Sequence, residues 1–195
     1  MRWKATFAFA ALVAAALLGA QGASADDRRG DDLVFVQTNE PTGNQIVVFE
    51  REKDGTLERE GTFATGGNGG VATPGTESDR LASQGSLVYD KRHDLLFAVN
   101  AGSDTISVFE VRGERLDLEQ VLPSGGQFPA SIAVDDDLVY VLNAGGVGIL
   151  QGFEIDDGEL ELLSGSARSL GLANADPPDF LTSPGQVGFT PLGSG

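Results

Sequence analysis

Leu95-Leu-Phe-Ala-Val-Asn100, Leu33-Val-Phe-Val-Gln-Thr-Asn39 and Leu138-Val-Tyr-Val-Leu-Asn143 are one pattern written three times. Each is followed by a second apolar run that ends in Phe-Glu, at Phe49-Glu50, Phe109-Glu110 and Phe153-Glu154. A Leu-acid pair comes next, at Leu57-Glu58, Leu116-Asp117 and Leu160-Glu161. The aromatic of the first run precedes the Phe by 14, 12 and 13 residues, and the Phe precedes the Leu by 8, 7 and 7. Markers held at nearly constant spacing in three copies define an internal repeat, and a repeat decides the architecture before any local reading does.

The repeated runs are short, rich in Val, Ile and Phe, and bounded by turn residues, which is the signature of strands. Asp54-Gly55, Gly102-Ser103-Asp104 and Asp156-Asp157-Gly158 supply hairpin turns, because Gly and Asp tolerate the positive φ that tight turns require. No segment past the leader keeps a 3.6-residue apolar period, so little helix is expected. A further run precedes the first marker in two repeats, Gly85-Ser-Leu-Val-Tyr-Asp90 and Ala130-Ser-Ile-Ala-Val-Asp135, and a similar one follows the third, Gly185-Gln-Val-Gly-Phe-Thr190. Four short antiparallel strands per repeat make a β-propeller blade. The expected fold is all-β, a partial propeller with blades at 33–63, 84–122 and 129–164 and the start of another at 185–190. The pattern opens on the second strand of one blade and closes on the first strand of another. It reads as the N-terminal part of a longer propeller; the alternative is strand exchange between two chains, giving a six-bladed homodimer.

The stretch at 96–109, Leu-Phe-Ala-Val-Asn-Ala-Gly-Ser-Asp-Thr-Ile-Ser-Val-Phe, resembles the lactonase family of seven-bladed β-propellers. That family includes 6-phosphogluconolactonases and carboxymuconate-lactonizing enzymes. The resemblance extends to Asp54-Gly-Thr-Leu57 and to Phe128-Pro-Ala-Ser-Ile-Ala-Val134. It implies a lactonase or cycloisomerase of carboxylated substrates; a non-catalytic scaffold or interaction module is the competing class, since fold alone does not settle function. Family members commonly place His-Pro-Arg or a similar triplet before the first strand of a blade. Here those places read Ser83-Gln84-Gly85, Gln127-Phe128-Pro129-Ala130 and Ser183-Pro184-Gly185-Gln186, without His or Arg. No catalytic residue carries over from the resemblance.

Met1-Arg2-Trp3-Lys4, the apolar run Ala5 to Ala20 and Ala23-Ser24-Ala25 compose a secretory leader cleaved after Ala25. The apolar run is shorter than the roughly 20 residues of a membrane span. A secreted or periplasmic protein is therefore expected, with residues 26–195 as the mature chain. The leader holds two of the 13 basic residues and none of the 29 acidic ones, so the chain from Asp26 onward carries a net charge of −18. That charge excludes nucleic acid as a partner. With no cysteine in the chain, packing and hydrogen bonds alone hold the fold.

The only histidine, His93, lies in the polar turn Asp90-Lys91-Arg92-His93-Asp94 and reads as a solvated turn residue. Asn100 and Asn143, at equivalent strand ends, read as starters of the next turn. Asp135-Asp136-Asp137 and Asp156-Asp157 lack calcium-loop spacing, and Gly66-Gly-Asn-Gly-Gly70 lacks the Lys-Ser/Thr and following helix of a phosphate loop, so neither a metal nor a cofactor is assigned. The long connections 64–84 and 164–184 are the candidate ligand loops, because connections of that length in a compact fold are usually functional or disordered. Within and beside them Arg80, Gln84, Arg168 and Gln186 are the candidate ligand-binding residues. The two arginines are proposed to grip a carboxylate through their guanidinium forks.

Overall fold

The computed structural model describes residues 32–72, 80–179 and 181–190. The leader expected over 1–25, the loop residue Asp79, Phe180 and the final residues 191–195 lie outside the described residues. The described residues contain strands and turns but no helix, and hence no helix long and apolar enough to cross a membrane.

Three antiparallel sheets follow one another along the chain. The first orders β1 (Leu33–Gln37), β2 (Gln45–Arg51) and β3 (Leu57–Ala64) side by side. The second has β4 (Leu87–Asp90), β5 (Leu95–Asn100), β6 (Thr105–Arg112) and β7 (Arg115–Pro123). The third runs from β8 (Pro129–Asp135) through β9 (Leu138–Asn143) and β10 (Ile149–Asp156) to β11 (Glu159–Leu162), with β12 (Arg168–Ser169) also pairing with β10. Each is a meander in which sequential strands pair, as in propeller blades, and together they make part of a propeller. The turn chemistry explains the hairpins: Asp157 and Gly158, at φ 52° and 87°, make the tight turn between β10 and β11. Register also repeats. A bulge falls between Val48 and Phe49 on β2 and between Val108 and Phe109 on β6, one residue before the repeated Phe in both sheets.

The core lies between the sheets. Side chains alternate faces along a strand, so each sheet contributes one apolar set to the seam before it and another to the seam after it. Ile46 and Val48 meet Leu96, Ala98, Phe109 and Leu116 between the first two sheets. Phe97, Val99, Ile106 and Val108 meet Val139, Val141, Phe153 and Leu160 between the second and third. The marker pairs Phe109/Leu116 and Phe153/Leu160 are thus the residues each sheet sends into the sheet before it. Full burial of each such side chain stabilises by about 1.5–3 kcal/mol.

Residues 185–190, expected as the first strand of a further blade, run extended beside β8 without a ladder of their own. A first blade strand pairs with the second strand of the same blade, as β4 does with β5, and 185–190 has no such neighbour among the described residues. It is held instead by Val187 N–H donating to Ser131 Oγ (3.2 Å) and by the Tyr140–Phe189 edge-to-face contact.

Candidate functional site

The inner strands β4 and β8 lie side by side, each at the end of its sheet, where the strands of a propeller face the central channel. Just ahead of β4 the chain turns inward at Ala82, which takes a positive φ of 50°, and Gly85, at 75°; glycine fits the second of these without strain. The residues between them approach the segment after Pro184. Gln84 N–H donates to the Gly185 carbonyl at 2.9 Å, so the two segments are stapled at this point. Around the staple is an open cleft of about 360 Å³ lined by Ala82, Ser83, Gln84, Gly185 and Gln186.

The cleft is polar and carries no ionisable group among its described lining residues. Gln84 and Gln186 are exposed and offer amide donors and acceptors. Ser83 has its Oγ buried without a hydrogen-bond partner, one of three such side-chain atoms among the described residues. Buried hydroxyls are nearly always paired, and among the cleft's described lining residues only Ser83 has a buried side-chain atom with an unmet hydrogen bond. The chemistry this arrangement can do is neutral hydrogen bonding to carbonyl and hydroxyl oxygens.

The two candidate arginines are placed differently. Arg80 is exposed two residues ahead of the cleft and stands 3.8 Å from Glu40, a loose ion pair. Its backbone carbonyl accepts from Ala72 N–H, which closes the described part of the connection on itself. Arg168 sits on β12 at the outer side of β10, opposite Leu150, with its guanidinium donating to the carbonyls of Gly165 (2.8 Å) and Ala167 (2.7 Å). The structure therefore brings Gln84 and Gln186 together and sets Arg168 apart from them. Nothing local in the sequence marks Ser83 as a serine whose hydroxyl loses water on folding.

The glycine cluster has a structural role at the seam. A Cβ at Gly67 would lie 2.4 Å from Asn100, one at Gly69 2.3 Å from the Asn39 backbone, and one at Gly70 2.6 Å from Ala101. The same arrangement recurs one blade on, where a Cβ at Gly126 would lie 2.6 Å from Asn143. In both places the loop leaving one sheet presses on the Asn-Ala-Gly turn of the next. Gly102 N–H donates to the Asn68 carbonyl and Gly145 N–H to the Gln127 carbonyl, at 3.0 and 2.9 Å. Asn100 and Asn143 do bond across their own turns, to Thr105 and Ile149, but both also reach the preceding blade. His93 differs from the solvated turn residue expected of it. Its Nδ1 meets Asp90 at 2.5 Å and its Nε2 meets Asp137 of the next sheet at 3.1 Å, with Arg92 on Asp136 beside it.

Shifted ionisations lie far from the cleft. Asp54, in the β2–β3 turn, is lowered below the usual carboxylate range chiefly by the Thr56 hydroxyl and also by the Thr56 N–H. Glu110 is lowered by the Arg112 guanidinium that bonds it. Glu60 on β3 is raised by desolvation and then by its acidic neighbours Glu114, Glu58, Glu50 and Glu52.

A sequence model described as lactonase, 7-bladed beta-propeller, matches residues 38–168. No curated protein matches the chain. Among solved structures, a functionally unknown protein from Desulfotomaculum acetoxidans superposes with a TM-score of 0.52 at 19% identity, over 76% of this chain and 44% of that one. A protein from Lactobacillus plantarum gives 0.50 at 19%, over 75% and 42%. The periplasmic gluconolactonase of Pseudomonas aeruginosa gives 0.49 at 20%, over 75% and 40%. The chain spans less than half the length of each of these structures, and the first two, at 19% identity, speak to the fold alone.

Proposed function

The chain belongs to the family of seven-bladed β-propeller lactonases, and from that premise we propose that it is an exported, lactonase-like protein that holds a small lactone in the cleft between Ser83–Gln84 and Gly185–Gln186. The observation that carries this reading is the cleft itself: a polar recess on the inner side of the sheets, with two exposed amides and an unpaired buried hydroxyl. A lactone presents a carbonyl oxygen, a ring oxygen and, in sugar lactones, several hydroxyls. Gln84 and Gln186 amide N–H groups would donate to the carbonyl, and their Oε1 atoms would accept from hydroxyls. The leader at 1–25 supports export.

Hydrolysis adds water across the lactone carbonyl and breaks the ring C–O bond, leaving a carboxylate and an alcohol. Amide donors can polarise the carbonyl, but a base for the water must come from outside the described lining of this cleft. For a carboxylated lactone, Arg80 would be the group at the lip that takes the carboxylate, exchanging its loose partner Glu40 for a bidentate one. The neutral lining also favours a second reading, a lactone- or polyol-binding module without turnover.

One experiment separates them. The purified protein is offered aldonolactones in a ring-opening assay that follows acid release, alongside calorimetric binding. Turnover that falls about tenfold or more in Gln84→Ala/Gln186→Ala, the loss expected for about 1.4 kcal/mol of hydrogen bonding, supports the lactonase. Binding without turnover, lost in the same variant, supports the module. Turnover and binding indifferent to both substitutions would reject the cleft.

A further inference from the structure

The turn from β4 to β5 is longer than its place in the repeat requires. Four residues, 91–94, join Asp90 to Leu95, whereas two, Asp136 and Asp137, join Asp135 to Leu138 at the same place in the next blade. Both turns end alike: Val111 N–H donates to the Asp94 carbonyl and Ile155 N–H to the Asp137 carbonyl, at 2.8 and 2.7 Å. The extra length carries Arg92 and His93 across the seam between the second and third sheets. Arg92 Nη1 stands 2.7 Å from Asp136 and 3.5 Å from Asp137. His93 Nδ1 lies 2.5 Å from Asp90 and its Nε2 3.1 Å from Asp137, with the ring 23% exposed.

Both ring nitrogens thus face carboxylates, which when ionised only accept. An imidazolium donates from both nitrogens and satisfies both contacts. A neutral ring has one N–H and sets the lone pair of its other nitrogen against a carboxylate. Most other charges packed round the ring are negative as well. Glu110 of β6, Glu119 of β7, and Asp157 and Glu159 of the β10–β11 hairpin line a recess of about 260 Å³ with His93 and Leu95. Arg112 engages Glu110, and Arg92 is the opposing charge on the Asp137 side.

We propose that His93 is a proton-operated latch between the second and third blades, closed while its imidazole is charged and half released when the proton leaves. Arg92 keeps its charge throughout and is the permanent part of the clasp; His93 is the conditional part. The latch joins the far ends of β4 and β8, whose other ends meet beside the cleft, where Ile132 N–H donates to the Gly85 carbonyl at 2.8 Å. The two inner strands are therefore tied at both ends, and one tie responds to pH. This inference stands independently of the ligand reading. Its sign follows from linkage: a proton that the folded state holds the more firmly adds stability that is present at low pH and lost as pH rises through the ring's titration.

Urea unfolding of the full chain, prepared without a histidine tag, at about pH 6 and about pH 8 tests it, because histidine is the side chain that ordinarily changes charge in that interval. The chain has a single histidine, so the response belongs to one residue. The folded-to-unfolded ratio is expected to fall about threefold to tenfold between the two pH values, the loss of one charge-assisted contact at a partly exposed site. His93→Gln removes the fall, and Asp137→Asn reduces it. Glu60, whose raised pKa acts in the same direction, contributes equally to parent and variants, so the difference between them isolates the latch. A His93→Gln variant weakened by the same factor at both pH values would make the ring a structural contact alone and overturn the proposal. A parent whose stability is level or rises with pH, or a fall unchanged in either variant, overturns it as well.

Discussion

Asn100 and Asn143 occupy equivalent strand ends and are both fully buried, yet they do unequal amounts of work at the seams. Asn100 Oδ1 accepts from Thr65 Oγ1 at 2.7 Å and from Asn44 Nδ2 at 3.0 Å, both in the preceding blade. Its Nδ2 donates to Ser107 Oγ at 2.8 Å and Thr105 Oγ1 at 3.2 Å. Asn143 Nδ2 donates to the carbonyls of Ser124 and Ile149, at 3.1 and 3.2 Å, while its Oδ1 is buried without a partner. The reason is in the repeat: Asp104 stands where the first blade has Asn44, and its carboxylate takes the Phe128 N–H instead. Truncation to Ala removes the same atoms from both sites, so the cavity contributions largely cancel and the hydrogen bonds decide. At about 0.5–1.5 kcal/mol net per bond, Asn100→Ala loses four bonds. The loss is moderated because Thr65 Oγ1, Asn44 Nδ2 and Ser107 Oγ each keep another acceptor. The expected cost is about 2–4 kcal/mol for Asn100→Ala and about 1–2 kcal/mol for Asn143→Ala. Urea unfolding of both variants with linear extrapolation reads the difference directly. Equal costs, or a larger cost at Asn143, would refute the assignment of the seam to this network.

Other outcomes follow from single residues. Gly67→Ala places a methyl group 2.4 Å from Asn100 and should cost about 1–3 kcal/mol by overpacking, whereas Gly113→Ala, with open space around it, should cost only the strain of its 61° φ; a thermal melt distinguishes them. Glu60 carries a raised pKa, so its charged form disfavours the fold above the carboxylate range and the penalty disappears as pH falls below it. Glu60→Gln should therefore stabilise at neutral pH, with a gain that shrinks on acidification and in high salt. Asp54 has the opposite sign: its lowered pKa contributes stability above the usual carboxylate value of 3.8 that is lost as pH falls, so Asp54→Ala should destabilise at neutral pH and be indistinguishable from the parent in strong acid. If Arg80 takes the carboxylate of a ligand, Arg80→Ala raises KM for carboxylated lactones without changing it for neutral ones, and Arg168→Ala changes neither; equal effects on both substrate types would sink the clamp.

The propeller was legible because its determinants are local and repeated: a two-residue alternation, Asp-Gly turns, and Phe and Leu markers that each seam uses in the same way. Less legible was everything that depends on partners distant in sequence. The Gly66–Gly70 run reads as part of a candidate ligand loop, yet Gly67 and Gly70 are dictated by Asn100 and Ala101, which the chain brings against them only when blades stack. His93 reads as a solvated turn residue because its second carboxylate, Asp137, lies 44 residues further on. The segment 185–190 forms no ladder among the described residues, since a strand needs a neighbour as well as a pattern. At the candidate site, Gln84 and Gln186 each border the glycine that opens an inner segment, and the fold sets them in one cleft. The unpaired hydroxyl of Ser83 has no sign in the sequence, since it is a product of burial. Arg168 was singled out for its chemistry, and that chemistry is spent on its own neighbouring carbonyls.

The cleft is most directly tested by amide chemical-shift mapping of the protein titrated with a neutral sugar lactone. Saturable shifts are expected at Ser83, Gln84, Gly185 and Gln186, abolished in Gln84→Ala/Gln186→Ala, with the seam residues around Asn100 unmoved. Shifts centred elsewhere, or none at millimolar ligand, would contradict the placement of the ligand at the inner ends of the blades.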